Sequence, residues 1–161
     1  CGLSGNLSGN LSGHEDDLCE GGYTHGGWKT VDAGDPDWNY TDYEPGVVDS
    51  AIVNKDVKKL SDFHKLAGDG GGTTFAAALG SSAEYGSVAT LLDIMELEGA
   101  VGLGCHWAAA ILNASYEKID YYFSVADVRT LYSDYLSNDY DNLYGLGFTD
   151  FEDLLLSSFS Y

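Results

Sequence analysis

Beyond Pro45 the apolar residues recur at helical spacing. Val53, Val57, Leu60 and Ala67 share one face, with Lys55, Lys58 and Lys59 on another, which predicts a helix ending at Gly68. Residues 69–72, Asp-Gly-Gly-Gly, then read as a flexible break. Thr74 is placed to cap a short turn carrying Phe75 and Leu79, and Val88, Leu91, Leu92 and Met95 form an amphipathic stripe. Residues 105–112 are apolar apart from His106, which predicts a central buried helix. Ser124 with Asp127, and Thr149 with Glu152, have the spacing of capping boxes. Each is followed by a helical stripe, Val125, Val128, Leu131 and Tyr135 in one and Phe151, Leu154, Leu155 and Phe159 in the other.

Upstream of Pro45 that periodicity disappears. Residues 19–45 are rich in Gly, Asp and aromatic side chains, which predicts an irregular segment pinned by Trp28 and Trp38. In residues 1–18 a repeat of Leu-Ser-Gly-Asn places Leu3, Leu7 and Leu11 four apart. The intervening Ser, Gly and Asn oppose a helix, so an extended arm is expected, with leucines free to plug a neighbouring subunit. The expected organisation is an arm over 1–18 and a single mainly α domain over 19–161 with an irregular N-terminal third.

Length and charge narrow the functional classes. A chain of 161 residues, 44% apolar, suits one hydrophobic core. Its 26 acidic residues against 7 basic ones give a net charge of −19. A polyanion of that density repels phosphate backbones and anionic lipid, which excludes nucleic-acid binding. No run of apolar residues is long enough to predict a membrane span.

The start at Cys1, without Met, reads as a processed, exported chain, with a lipid on the Cys1 thiol as one use of that residue. Four N-x-Ser/Thr sequons, at Asn6, Asn10, Asn39 and Asn113, predict N-linked glycans on an extracellular or cell-surface protein. Asn113 is the weakest of these, since it ends an apolar run. Three cysteines leave one over. The expected pair is Cys19 with Cys105, a closure contributing on the order of 3–5 kcal/mol through the unfolded chain. Cys1 is then left for a lipid or an intermolecular bond, unless it takes Cys19 itself.

Two segments resemble a known family. Cys19-Glu20-Gly21-Gly22-Tyr23-Thr24-His25-Gly26-Gly27-Trp28-Lys29 is similar to the opening of secreted and surface-anchored proteins marked by Cys followed by Thr-Pro-Gly-Tyr-Trp-Lys. Cys105-His106-Trp107-Ala108-Ala109-Ala110-Ile111-Leu112-Asn113-Ala114 resembles that family's later motif, an Arg-His pair before Ala-Ala-Leu-Leu-Asn-Ala. The resemblance implies export, without an assigned activity. The Thr-Pro-Gly turn is replaced by Thr24-His25-Gly26-Gly27, Arg by Cys105, and the Asn-His that follows Trp-Lys is missing after Lys29. A metal or ligand role resting on that histidine is not carried over.

The chemistry-bearing residues give no catalytic constellation. Cys19, Cys105, His25 and His106 are the residue types of a Cys2His2 zinc site, but Cys105 and His106 are adjacent and expected on different sides of a helix, so no metal centre is expected. His64 reads as a helix-surface residue. Calcium is the one cation the composition suits, with Asp32, Asp35 and Asp37 as candidates and Asn138, Asp139, Asp141 and Asn142 as a second oxygen-rich group. Neither has the spacing of an EF-hand loop. Together these features lead to a non-enzymatic, secreted, glycosylated structural subunit that polymerises with itself through its arm. A cell-surface adhesion or carbohydrate-recognition module is the alternative, since twelve Tyr and three Trp supply aromatic faces; a secreted enzyme ranks third.

Overall fold

The computed structural model describes residues 19–30 and 37–159. In chain order the elements are α1 (His25–Lys29), a 3-10 turn (Asp37–Tyr40), α2 (Ser50–Val53), a second 3-10 turn (Leu60–Lys65), α3 (Phe75–Leu79) and α4 (Leu91–Leu97). A third 3-10 turn (Glu98–Val101) leads into α5 (Gly104–Ser115), followed by α6 (Val125–Ser137), α7 (Asp141–Gly145) and α8 (Phe151–Ser157). The domain is mainly α, and among the described residues only isolated β-bridges interrupt the helices. None of those helices is long and apolar enough to cross a membrane.

The expected central helix is α5. Trp107, Ala108, Ala109, Ala110, Ile111 and Leu112 are all fully buried there. Three consecutive alanines keep the helix thin, so α1, α3, α4, α6 and α8 all reach it. Trp107, Ile111 and Leu112 each contribute roughly 1.5–3 kcal/mol by leaving water. Gly104 lets the first turn enter the core, since a Cβ there would lie 2.7 Å from the Tyr85 hydroxyl and 2.8 Å from Ile94 Cγ2.

Local chemistry accounts for most helix ends. Thr74 caps α3 and Ser124 forms a reciprocal capping box with Asp127 at α6, as expected. Thr90 and Asp93 make a second such box that delays the start of α4, leaving Val88 outside the helix and 43% exposed. At α8 the cap is Asp150, whose carboxylate accepts from Asp153 N at 2.7 Å, one residue later than the Thr149 box predicted.

The single helix expected through Val53, Val57, Leu60 and Ala67 is not formed. It stops at Val53, and Lys55 adopts a left-handed backbone at φ 66°. The cause is Asp49, whose buried carboxylate accepts from Ala51 N at 2.9 Å, Ala67 N at 3.0 Å and Gly68 N at 2.7 Å. Three backbone donors gathered on one carboxylate fold residues 50–68 back on themselves and outweigh the apolar stripe, whose Val53 and Leu60 end exposed. Asp49 N in turn donates to Asp93 Oδ1 at 2.9 Å, and burial pushes the Asp93 carboxyl above its usual range. Residues 69–72 are not a free break either: Val47 N donates to Gly70 O at 2.8 Å and Thr73 N to Glu44 O at 2.9 Å.

The irregular third is held by aromatic packing, as its composition predicts. Trp28 and Trp38 are buried with ring centroids 5.9 Å apart, and Tyr23 and Tyr116 meet Trp28 edge-on at 5.4 and 5.2 Å. Asn113, fully buried at the end of α5, fastens this cluster. Its Oδ1 accepts from Tyr23 N and from Trp28 Nε1, both at 2.9 Å, and its Nδ2 donates to Tyr23 O at 2.8 Å. Only glycine fits opposite it, because a Cβ on Gly22 would fall 2.2 Å from the Asn113 amide.

Asn113→Ala leaves the buried indole N–H of Trp28 without its acceptor and removes one bond each from the half-buried peptide N–H and carbonyl of Tyr23, at about 1–3 kcal/mol for each group that water does not reach. The expected loss is roughly 2–4 kcal/mol of unfolding free energy in urea titration. A loss below about 0.5 kcal/mol would show that the amide does not hold the N-terminal segment to α5.

Candidate metal centre

The lock at Asn113 sets where α1 lies on α5. Thr24 caps α1, its hydroxyl accepting from Gly27 N at 3.3 Å, and the short helix turns Trp28 inward against Asn113. One turn earlier on the same helix, His25 comes down on the first turn of α5. A ring nitrogen of His25, a ring nitrogen of His106 and the Cys105 sulfur there lie within 4.8 Å of one another. The two imidazoles meet edge to face with centroids 5.5 Å apart.

These residues lie closer together than their spacing in sequence suggests. Neighbours on a helix are about 100° apart, so Cys105 and His106 cannot chelate by themselves, but they flank a groove that a third residue can occupy. His25 is that residue. Three of the four side chains considered for a zinc site therefore converge, and Cys19 does not join them because it is disulfide-bonded. Its partner is not Cys105, which is a free and buried thiol, so the expected Cys19–Cys105 bond is not made.

The electrostatics suit uncharged donors. Burial lowers the affinity of His25 for a proton, partly offset by Glu98. Burial also lowers that of His106, with His25 adding to the effect and Glu152 opposing it. The Cys105 thiol is pushed up, first by burial. A thiolate–imidazolium pair of the kind that makes cysteine nucleophilic is disfavoured at both partners. What remains is two neutral imidazoles with lone pairs to give and one thiol that ionises when a cation replaces its proton.

One nitrogen of each ring lacks a partner. Among the described residues three buried side-chain polar atoms make no hydrogen bond, and two of them are Nδ1 of His25 and Nδ1 of His106; the third is Trp107 Nε1. Leaving such groups dry and unpaired costs about 1–3 kcal/mol each, a cost that a bound cation would remove. Bond lengths of about 2.0–2.3 Å from zinc to nitrogen or sulfur put tetrahedral donors roughly 3.5 Å apart. The three donor atoms, no more than 4.8 Å apart, are at most about 1.3 Å wider than that spacing.

The other expected sites fare differently. Asn39 is exposed on the 3-10 turn, open to a glycan. Asn113 is not, since its amide is fully buried and hydrogen-bonded, which removes it from the glycosylation set. Asn6, Asn10, Leu3, Leu7, Leu11, Cys1, Asp32 and Asp35 lie outside the described residues. Asp37 accepts the Tyr116 hydroxyl at 2.8 Å. In the second oxygen-rich group, Asp139 accepts from Asp141 N at 3.0 Å and Asn142 donates to Asp134 at 2.8 Å, which are ordinary turn and helix-end contacts. His64 sits on the surface with Nδ1 3.2 Å from Ser61 O. Much of the tyrosine content fills the core, with Tyr43, Tyr85, Tyr116, Tyr121 and Tyr132 all buried. Comparison with protein-family models, with curated proteins and with solved structures gives no match for this chain.

Because its thiol is buried and holds its proton tightly, Cys105 is expected to alkylate with iodoacetamide at neutral pH at least tenfold more slowly than after unfolding. Non-reducing peptide mapping of the unfolded protein then recovers Cys105 as the alkylated cysteine. Recovery of a Cys19–Cys105 peptide instead would contradict the free thiol.

Proposed function

We propose that this domain is a non-catalytic metal-binding module that takes one thiophilic cation, of the zinc(II) or copper(I) kind, on His25, His106 and Cys105. The observation that carries this reading is the convergence of one sulfur and two nitrogens within 4.8 Å, from a helix pair held in register by Asn113. Imidazole and thiolate are the donors such cations prefer, whereas calcium and magnesium require oxygen. The net charge of −19 raises the local concentration of any cation, and the buried site selects among them.

Zinc titrated into the reduced protein is expected to bind at one equivalent per chain. Cobalt(II) reports the same site through a sulfur-to-metal charge-transfer band in the near ultraviolet. Cys105→Ser removes that band, and His25→Ala or His106→Ala weakens zinc by at least tenfold. Since the thiol must lose its proton, affinity rises about tenfold per pH unit at pH values below the Cys105 pKa. Binding unaltered in all three variants would refute the assignment.

A second reading concerns the setting of the module, and rests on the exposure of Asn39 within its sequon and on the disulfide at Cys19. Both suit an oxidising, extracellular address, in which a secreted, glycosylated subunit assembles with its own kind through residues 1–18. In native material, glycosidase treatment followed by peptide mass analysis is expected to convert Asn39 to Asp and to leave Asn113 unchanged. An unmodified Asn39 would remove the support for this setting.

A further inference from the structure

We propose that Glu98 is the positioning carboxylate of this metal centre: it faces the outer ring nitrogen of His25 and, by favouring the ring proton on that side, aims the inner nitrogen at the cation. This rests on the metal-binding reading above and adds to it a residue outside the donor set. His25 has two different nitrogens. Nδ1 is buried and without a partner, and Nε2 lies 3.8 Å from Glu98 Oε1. A proton on Nε2 facing a carboxylate leaves the Nδ1 lone pair inward, the arrangement in which ligating histidines are fixed in tautomer and made more basic. Glu98 is not among the atoms that converge on the site, consistent with a place behind His25.

Two further features set Glu98 apart. Lys29, one turn along α1 from His25, bonds the same Oε1, so the carboxylate is clamped to the helix that carries the ligand. The Glu98 backbone is also held at φ 50° and ψ −131°, a region that glycine occupies freely and that costs other residues of order 1–3 kcal/mol. A half-exposed glutamate at a position built for glycine is a local penalty that a role for its side chain would explain. At the junction of α4 with the following 3-10 turn the Glu98 side chain meets both Lys29 and His25 of α1.

The test compares Glu98→Gln and Glu98→Gly with the wild type. Glycine relaxes the backbone and glutamine keeps side-chain bulk without charge, so folding and positioning are read separately. Zinc affinity is measured by competition with a chromophoric chelator, stability by thermal unfolding of the metal-free protein, and tautomer by nitrogen-15 NMR of the imidazoles. The expected result is wild-type His25 protonated at Nε2 and metallated at Nδ1. Both variants then bind zinc roughly 10- to 100-fold more weakly. The metal-free glycine variant unfolds at a temperature no lower than wild type. Failure of the wild type to bind zinc would overturn the metal-binding reading itself. Wild-type binding with unchanged affinity in both variants, or with His25 bound through Nε2, would overturn the role of Glu98 alone.

Discussion

A single buried amide determines how the two halves of this molecule meet. Asn113 ends the apolar run of α5, and its side chain has no water to turn to, so its donor and acceptor must be matched by protein. The match comes from ninety residues away, through both peptide groups of Tyr23 and the indole of Trp28. Hydrogen bonds of this kind contribute modestly when made and are costly when broken, so they discriminate between registers more than they stabilise any one of them. Sliding α1 along α5 by one turn would strand all three partners. The position of His25 over Cys105 and His106 is a consequence of that register.

The centre beneath α1 has the opposite character. The Asn113 amide is paired at its oxygen and its nitrogen, whereas two turns earlier on α5 the buried nitrogens without partners are His106 Nδ1, Trp107 Nε1 and, facing them, His25 Nδ1. Folding satisfies polar groups almost everywhere, so two unpaired imidazole nitrogens beside a free thiol are the feature on which the metal-binding proposal rests. Desolvation acts on all three groups by favouring the uncharged form: it lowers the proton affinity of both imidazoles and raises that of the thiol.

Much of the fold was legible because short-range rules decided it. The buried helix at 105–112, the caps at Thr74 and Ser124, and the pinning role of Trp28 and Trp38 follow from residues close in sequence. The failures arose where a distant group overrode a local pattern. Asp49 gathers backbone donors from 51, 67 and 68 and breaks a helix that the stripe of Val53, Val57, Leu60 and Ala67 favours. Asn113 carries a sequon that local reading marks for a glycan and tertiary packing buries. The cluster of His25, His106 and Cys105 was half legible, since residue type singles out its members, but adjacency on α5 speaks for one helix alone. Residues at i and i+1 cannot close on a metal, yet they can frame one when a second element supplies the third ligand. Nothing local announced that α1 would be that element.

The disulfide and the thiol belong to one argument about environment. A chain that keeps one cysteine oxidised and another reduced must protect the second, because thiolate character and access together govern oxidation. Burial does part of this at Cys105 by keeping the thiol protonated. A thiophilic cation would do the rest, since a coordinated sulfur has its lone pair engaged and its approach blocked by two imidazoles. On this view the free thiol is not left over from disulfide pairing. Its partners are His25 and His106, brought to it by the same aromatic segment that the chain needs in order to close its core.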